Sequence, residues 1–165
     1  MTRAAVLWGA SPPPNAAVLE SIRTSASTRG IEIFPRKLNG VEDLASAFDD
    51  AKRAKAQAAI FMTDNTLFGQ RKLVAELALP HSLPTIHLFR LEVQDGGLMF
   101  YGPSEDEIRR RAAALADRIL RGARPSELPV ENPTKFELII NLKTAKALGL
   151  TIPESFLLRA DQVIE

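Results

Sequence analysis

Apolar and polar positions along this chain alternate between two periods. Ala4-Ala-Val-Leu-Trp8 is a short unbroken apolar run closed by Gly9, Ser11 and three prolines, the pattern of a strand covered on both faces. From Asn15 the spacing changes to helical: Val18, Ile22 and Ala26 recur every fourth residue, Leu19 widens the stripe, and Gly30 stops it. Ile31 to Phe34 alternates as a second strand, and Asn39 three residues before Glu42 predicts a capped helix carrying Leu44, Phe48 and Ala51 inward. Ala58 to Met62 predicts a third strand, and residues 65–79 a helix with Leu67, Val74 and Leu77 inward. Thr85 to Phe89 reads as a fourth strand, and Leu98 to Tyr101, after Asp95-Gly96-Gly97, as a fifth. Ser104 and Glu107 frame the start of a long helix whose stripe, Ile108, Ala112, Leu115 and Ile119, should be buried and should end at Gly122. Strands alternating with helices in this way imply an α/β fold, a doubly wound, mainly parallel sheet of the Rossmann-like or flavodoxin-like kind.

Beyond Gly122 the rhythm breaks. Residues 123–133 hold three prolines in a polar stretch and read as a hinge-like linker after a first unit of residues 1–122. Residues 134–165 then predict a strand from Lys135 to Leu142, a short helix from Thr144 to Gly149 and a last helix from Thr151 through Ile164. Phe136, Leu138, Ile140, Leu142, Leu148, Phe156, Leu157 and Val163 make this tail too apolar to stand in water, so it should pack on a partner surface.

Composition narrows the chemistry. The 165 residues are enough for one core, and 21 Lys and Arg against 20 Asp and Glu leave a net charge of +1, which gathers neither nucleic acid nor an anionic membrane. With no cysteine, thiol nucleophiles, disulfides and Cys-ligated metal are excluded. His81 and His87 are not clustered, so neither a metal site nor a cofactor is expected. The phosphate-cradling glycine loops, the nucleophile elbow and the zinc-protease motif are all missing, and the loop from Trp8 to Ser11 lacks the acids that a phospho-acceptor domain needs around Asp64. An enzyme is not expected. In an open parallel sheet, ligands sit beyond the carboxyl ends of the strands. The loops there offer Trp8, Ser11, Asn15, Thr63, Asp64, Asn65, Arg90 and Tyr101, an aromatic, hydroxyl, amide, acid and guanidinium set suited to a small zwitterion. Each has a plainer use: Trp8 in packing, Asp64 with Asn65 as a helix cap, Arg90 in a surface ion pair.

The stretch Asn132-Pro-Thr-Lys-Phe-Glu-Leu-Ile-Ile-Asn-Leu-Lys-Thr-Ala-Lys-Ala-Leu-Gly-Leu150 resembles the C-terminal region of ABC transporter substrate-binding proteins, in the group that includes tryptophan- and other amino-acid-binding members. Gly97-Leu-Met-Phe-Tyr-Gly-Pro103 and the run from Asp117 to Glu131 are similar to the same family, so the resemblance spans essentially the whole chain. It implies one lobe of a type 1 periplasmic-binding protein, the second, with the C-terminal strand-helix tail that in the family returns to the first. Thr63 to Thr66 matches a family loop that looks into the cleft, whereas Trp8 to Asn15 departs from the family's pattern there. By the same resemblance the chain binds an amino-acid-like solute without chemistry, weakly in the absence of a first lobe, and its partners are an ABC permease and, through the tail, a second copy in a homodimer. The family is periplasmic, while these residues carry no export signal, which as written leaves the chain in the cytoplasm. A stand-alone interaction module without a small ligand is the alternative, and a flavodoxin-like enzyme a more distant one.

Overall fold

The computed structural model describes residues 1–9, 15–62 and 65–165, without the side chains of Asn15, Ala16 and Thr66. Its centre is a seven-stranded sheet in the order β2-β1-β3-β4-β5-β6-β7. The five strands β1 (Arg3–Trp8), β2 (Glu32–Lys37), β3 (Ala59–Met62), β4 (Thr85–His87) and β5 (Met99–Pro103) run parallel. β6 (Phe136–Asn141) pairs antiparallel with β5, and β7 (Gln162–Ile164) runs parallel to β6. The helices between them are α1 (Asn15–Ser27), α2 (Asp43–Arg53), α3 (Asn65–Gly69), α4 (Arg71–Ala78), α5 (Arg90–Gln94), α6 (Glu105–Leu120), α7 (Leu142–Ala147) and α8 (Glu154–Leu157).

Side chains on neighbouring strands share a face by register, so Ala5, Leu7, Ala59 and Phe61 point one way and meet Leu44 and Phe48 of α2 and Val74 of α4. Each large side chain fully buried there contributes about 1.5–3 kcal/mol. Farther along the same face, Phe100 of β5, Ile139 of β6 and Val93 of α5 form a second cluster. Arg36 on β2 and Arg53 both donate to the Asp50 carboxylate, tying the sheet edge to α2.

Several elements differ from the sequence expectation, each for a local reason. The helix expected over residues 65–79 is broken at Gln70, where Gly69 ends α3 and Gln70 adopts φ −106°, ψ 16°. Asn39 does not cap α2 through a capping box with Glu42; the carboxylate of Asp43 accepts from Asn39 instead. β4 stops at His87 instead of reaching Phe89, and residues 90–94, for which the sequence predicts no element, form α5. The last helix does not reach Ile164: it ends at Leu157, and Asp161 turns the chain onto β6 by exchanging hydrogen bonds with Leu138, its N–H to the Leu138 carbonyl and its Oδ2 from the Leu138 N–H, each 2.9 Å.

Two corrections change the organisation. Residues 134–165 do not form a separate appendage, because β6 and β7 complete the sheet and bury Leu138, Ile139 and Ile140. Of the apolar residues expected to seek a partner, Leu138 and Ile140 are buried in the sheet, Phe136 stays exposed, and Leu142, Leu148, Phe156, Leu157 and Val163 are half-buried. The stripe on α6 is the opposite case: that helix has no buried residue, and Ile108 and Ile119 are exposed. An amphipathic pattern reports that a face is apolar, not that this chain covers it.

Two measurements test this packing. A Cβ at Gly97 would lie 2.5 Å from His87 Nε2 and 2.9 Å from the Glu92 carbonyl oxygen, so Gly97→Ala should cost about 1–3 kcal/mol in urea unfolding. The hydrogen bond from Arg53, opposed by partial desolvation and reinforced by Arg36, holds the Asp50 carboxyl below its ordinary value. A depressed carboxylate stabilises the fold fully above the unfolded pKa, about 3.9, and loses that contribution as pH falls through the native value. Asp50→Asn should therefore be less stable than the parent at neutral pH by up to about 1 kcal/mol, with the gap closing in acid.

Candidate functional site

The carboxyl ends of β1, β3 and β4 lie side by side, and the chain winds to opposite sides of the sheet on leaving β1 and β2. Trp8 closes β1 in a half-buried position, and its carbonyl accepts from the Leu38 N–H at 2.8 Å. Asn65 is exposed at the start of α3, one strand away, and Phe89 and Arg90 follow one strand further. These three positions follow three adjacent strands at one rim of the sheet. Ser11, Thr63 and Asp64 lie outside the described residues, as does the side chain of Asn15. Tyr101 is not at this rim. It is exposed on the sheet face that α1 shares, stacked on Phe136 with ring centroids 5.9 Å apart, whereas Arg90 lies over the other face.

Arg90 is aimed by a buried polar cluster. Thr85 Oγ1 accepts from the Leu98 N–H at 3.3 Å and shares a hydrogen bond of 2.8 Å with His87 Nε2, while His87 Nδ1 stands 3.6 Å from Glu92 Oε1 and has no hydrogen-bond partner among the described residues. Glu92 Oε2 in turn accepts the Phe89 N–H at 2.9 Å, fixing the first turn of α5. The His87 ring is fully buried and stacks on Phe61 at 5.6 Å. A hydrogen-bonding side chain inside a core is costly unless paired, so the Glu92 carboxylate is held to the Phe89 N–H and with it the start of α5.

From that base Arg90 extends over a cavity of about 310 Å³ lined also by Lys135, Glu137, Ile139, Asp161 and Gln162. Its Nη2 donates to Gln162 Oε1 at 2.7 Å, and its Nη1 stands 3.9 Å from Glu137 and 4.0 Å from Asp106, beyond hydrogen-bond range. Its Nε has no partner among the described residues. Beside it, Phe89 is exposed and meets the half-buried Phe68 edge-to-face at 5.3 Å. Arg71 braces the pair, its guanidinium 5.1 Å above the Phe68 ring and bound to Asp95 at 2.5 Å. The rim thus joins an aromatic surface to a guanidinium with donors to spare, an arrangement that holds a carboxylate attached to an apolar group.

Sequence reasoning placed Trp8, Asn65 and Arg90 on this rim and missed Phe68, Phe89 and the surroundings of Arg90. Phe89 reads as strand in the sequence because a helix of five residues leaves no periodic stripe, and Lys135, Glu137 and Gln162 lie in the region that the sequence sets apart as a tail. Glu92 acts on Arg90 through the backbone. Glu92→Ala removes the acceptor for the Phe89 N–H and the group facing His87, and should cost about 1–3 kcal/mol in urea unfolding and speed amide exchange at Phe89.

Comparison with known proteins agrees with this architecture. The crystal structure of the ABC domain in complex with L-Trp from Streptococcus pneumonia superposes with a TM-score of 0.86 at 24% identity, over 99% of this chain and 55% of that one. A conserved domain protein from Vibrio cholerae also gives 0.86 at 24% identity, over 98% of this chain and 54% of that one. The tyrosine-binding protein of Clostridioides difficile is 23% identical over 145 residues, 88% of this chain and 42% of the relative. The chain therefore spans about two fifths of that curated relative and just over half of the solved neighbours. The family model for ABC transporter substrate binding protein matches residues 5–164, nearly the whole chain. The chain belongs to the ABC transporter substrate-binding protein family, a class of solute-binding rather than catalytic proteins.

Proposed function

We propose that this chain is a solute-receiving lobe that binds an amino acid with an aromatic or large apolar side chain and delivers it to an ABC permease outside the cytoplasmic membrane. The observation that carries the reading is Arg90, a guanidinium with unused donors standing next to an aromatic pair, Phe89 exposed and Phe68 half-buried, at the rim of the sheet. In this reading Arg90 takes the ligand's carboxylate, Phe89, Phe68 and Trp8 receive the side chain, and Ser11, Asn15, Thr63, Asp64 and Asn65 supply polar contacts from the loops after β1 and β3. The neighbours support the ligand class: one is described in complex with L-Trp, and a relative is described as tyrosine-binding. Uncovered α6 supports a second lobe, since its apolar stripe offers a surface against which such a lobe would pack. A clamp of two lobes encloses its solute far better than one lobe, so binding by this chain alone should be in the millimolar range.

The test is a titration of the isotopically labelled chain with L-tryptophan, L-tyrosine, L-alanine and indole, followed by amide chemical shifts. The aromatic amino acids should shift the amides of Trp8, Asn65, Phe89 and Arg90, with alanine weaker. Arg90→Gln should weaken L-tryptophan about tenfold, the ~1.5 kcal/mol of one charge-assisted hydrogen bond, and leave indole unchanged because indole has no carboxylate. Absence of any shift at the rim with both aromatic amino acids would overturn the reading.

A further inference from the structure

The chain leaves the sheet at the end of β5 and returns to it at the start of β6, and the two crossings run side by side. The Ser104 N–H donates to the Lys135 carbonyl at 2.9 Å, while Ser104 Oγ donates to Glu137 Oε1 at 2.7 Å and accepts from the Glu107 N–H at 3.4 Å. One hydroxyl therefore caps α6 and ties its first residue to the returning strand. Arg90 faces the carboxylates of both crossings, Asp106 in the first turn of α6 at 4.0 Å and Glu137 on β6 at 3.9 Å, while Gln162 of β7 holds its other amino group.

We infer that Arg90, Asp106, Glu137 and Ser104 form a latch that sets the angle at which α6 leaves the sheet. The helix has no buried residue, so no side-chain packing fixes its direction. What remains is the first turn, where the cap and the guanidinium act, and one ion pair farther along, in which Arg111 Nε donates to Glu131 Oε2 at 2.7 Å and ties the helix to the returning segment rather than to the sheet. The latch is built to open cheaply. Both of its carboxylates keep another cation when Arg90 withdraws: Asp106 has Arg109 at 3.1 Å, and Glu137 has Lys135 at 3.8 Å in addition to the Ser104 hydroxyl. No charge is stranded, which is the condition under which breaking an ion pair costs little. Resting on the functional reading above, the same guanidinium is the one that receives a solute carboxylate, so filling the rim draws it from the latch and frees α6 to swing with whatever packs on it.

Because the chain has no cysteine, spin labels can be placed at will. Ala45→Cys on α2 and Ala116→Cys on α6, both exposed, report the helix direction by pulsed dipolar spectroscopy in the full chain without ligand. The parent should give one narrow distance distribution. Arg90→Gln and Glu137→Gln should each widen it to about double, at an unchanged thermal unfolding midpoint, and Arg90→Lys should restore most of the narrowness. Raised ionic strength should widen the parent but not Arg90→Gln, because contacts near 4 Å at a half-exposed site are screened. Parent and both neutral variants with the same distribution would overturn the latch, as would a widening that appears only where the protein has also lost its melting cooperativity. The functional reading fails separately, through a flat titration with L-tryptophan and L-tyrosine, which uses a different readout on the unlabelled protein.

Discussion

Met99 to Pro103 of β5 lie antiparallel to Ile140 to Phe136 of β6, across an intervening stretch in which α6 buries nothing. Closing that long loop costs entropy that grows only slowly with its length, and a five-residue ladder together with the burial of Leu138, Ile139 and Ile140 offsets it. Much of the rest follows from this pairing. It brings Glu137 beneath Arg90, lays the outgoing and returning segments beside each other at Ser104 and Lys135, and gives β7 an edge on which to form. It also makes α6 the content of a closed loop rather than a layer of the lobe.

The second constraint is the polar cluster under α5. Thr85, His87 and Glu92 are buried polar side chains in the core, in a medium where each hydrogen bond they make is expensive to lose. Gly97 is part of the same solution, since the His87 ring occupies the place that any side chain there would need. A short helix of five residues cannot hold its own direction by helix propensity. The buried carboxylate at its start and the buried Val93 on its inner face do so instead, and the direction they impose is the direction of Arg90.

How far the sequence foretold this depends on where each signal originates. Ala4 to Trp8 and Ala58 to Met62 are legible as strands because continuous apolar runs bounded by turn residues have few other uses, and Gly30 marks the end of helix one by its positive φ of 67°. The family resemblance carried by Asn132 to Leu150 also holds, and the fold gives it a physical content. Ile139 and Ile140 are core residues, and Asn141 Oδ1 accepts the Thr144 N–H to start α7 while its Nδ2 donates to the Val93 carbonyl. What was not legible depends on distant chain. Gln162 to Ile164 reads as the end of a helix until Asp161 is seen pairing with Leu138, and nothing local tells that Ile108 and Ile119 are left exposed. For the site, the sequence supplies Trp8, Asn65 and Arg90 through the general rule about strand ends, but the rule is blind to the partners of Arg90, which arrive from β6 and β7.

An amphipathic helix standing in water would ordinarily fray, and the way α6 avoids this explains how it serves as a docking element. Its first turn carries Glu105, Asp106 and Glu107 at the positive end of the dipole, behind the Ser104 cap. Arg109 reaches Glu105 at 2.5 Å and Asp106 at 3.1 Å, Arg110 reaches Glu107 at 3.5 Å, and Arg121 reaches Asp117 at 2.9 Å, pairs at three- and four-residue spacing that each add about 0.2–0.5 kcal/mol. Ala112, Ala113, Ala114 and Ala116 add the best intrinsic helix former in the middle. Local forces therefore preform the helix and tertiary packing is left to whatever covers it. A surface that is already helical spares its partner the ordering entropy that a disordered segment would demand, so contact with a second lobe can be modest in area and still be made and broken as the helix turns on Ser104.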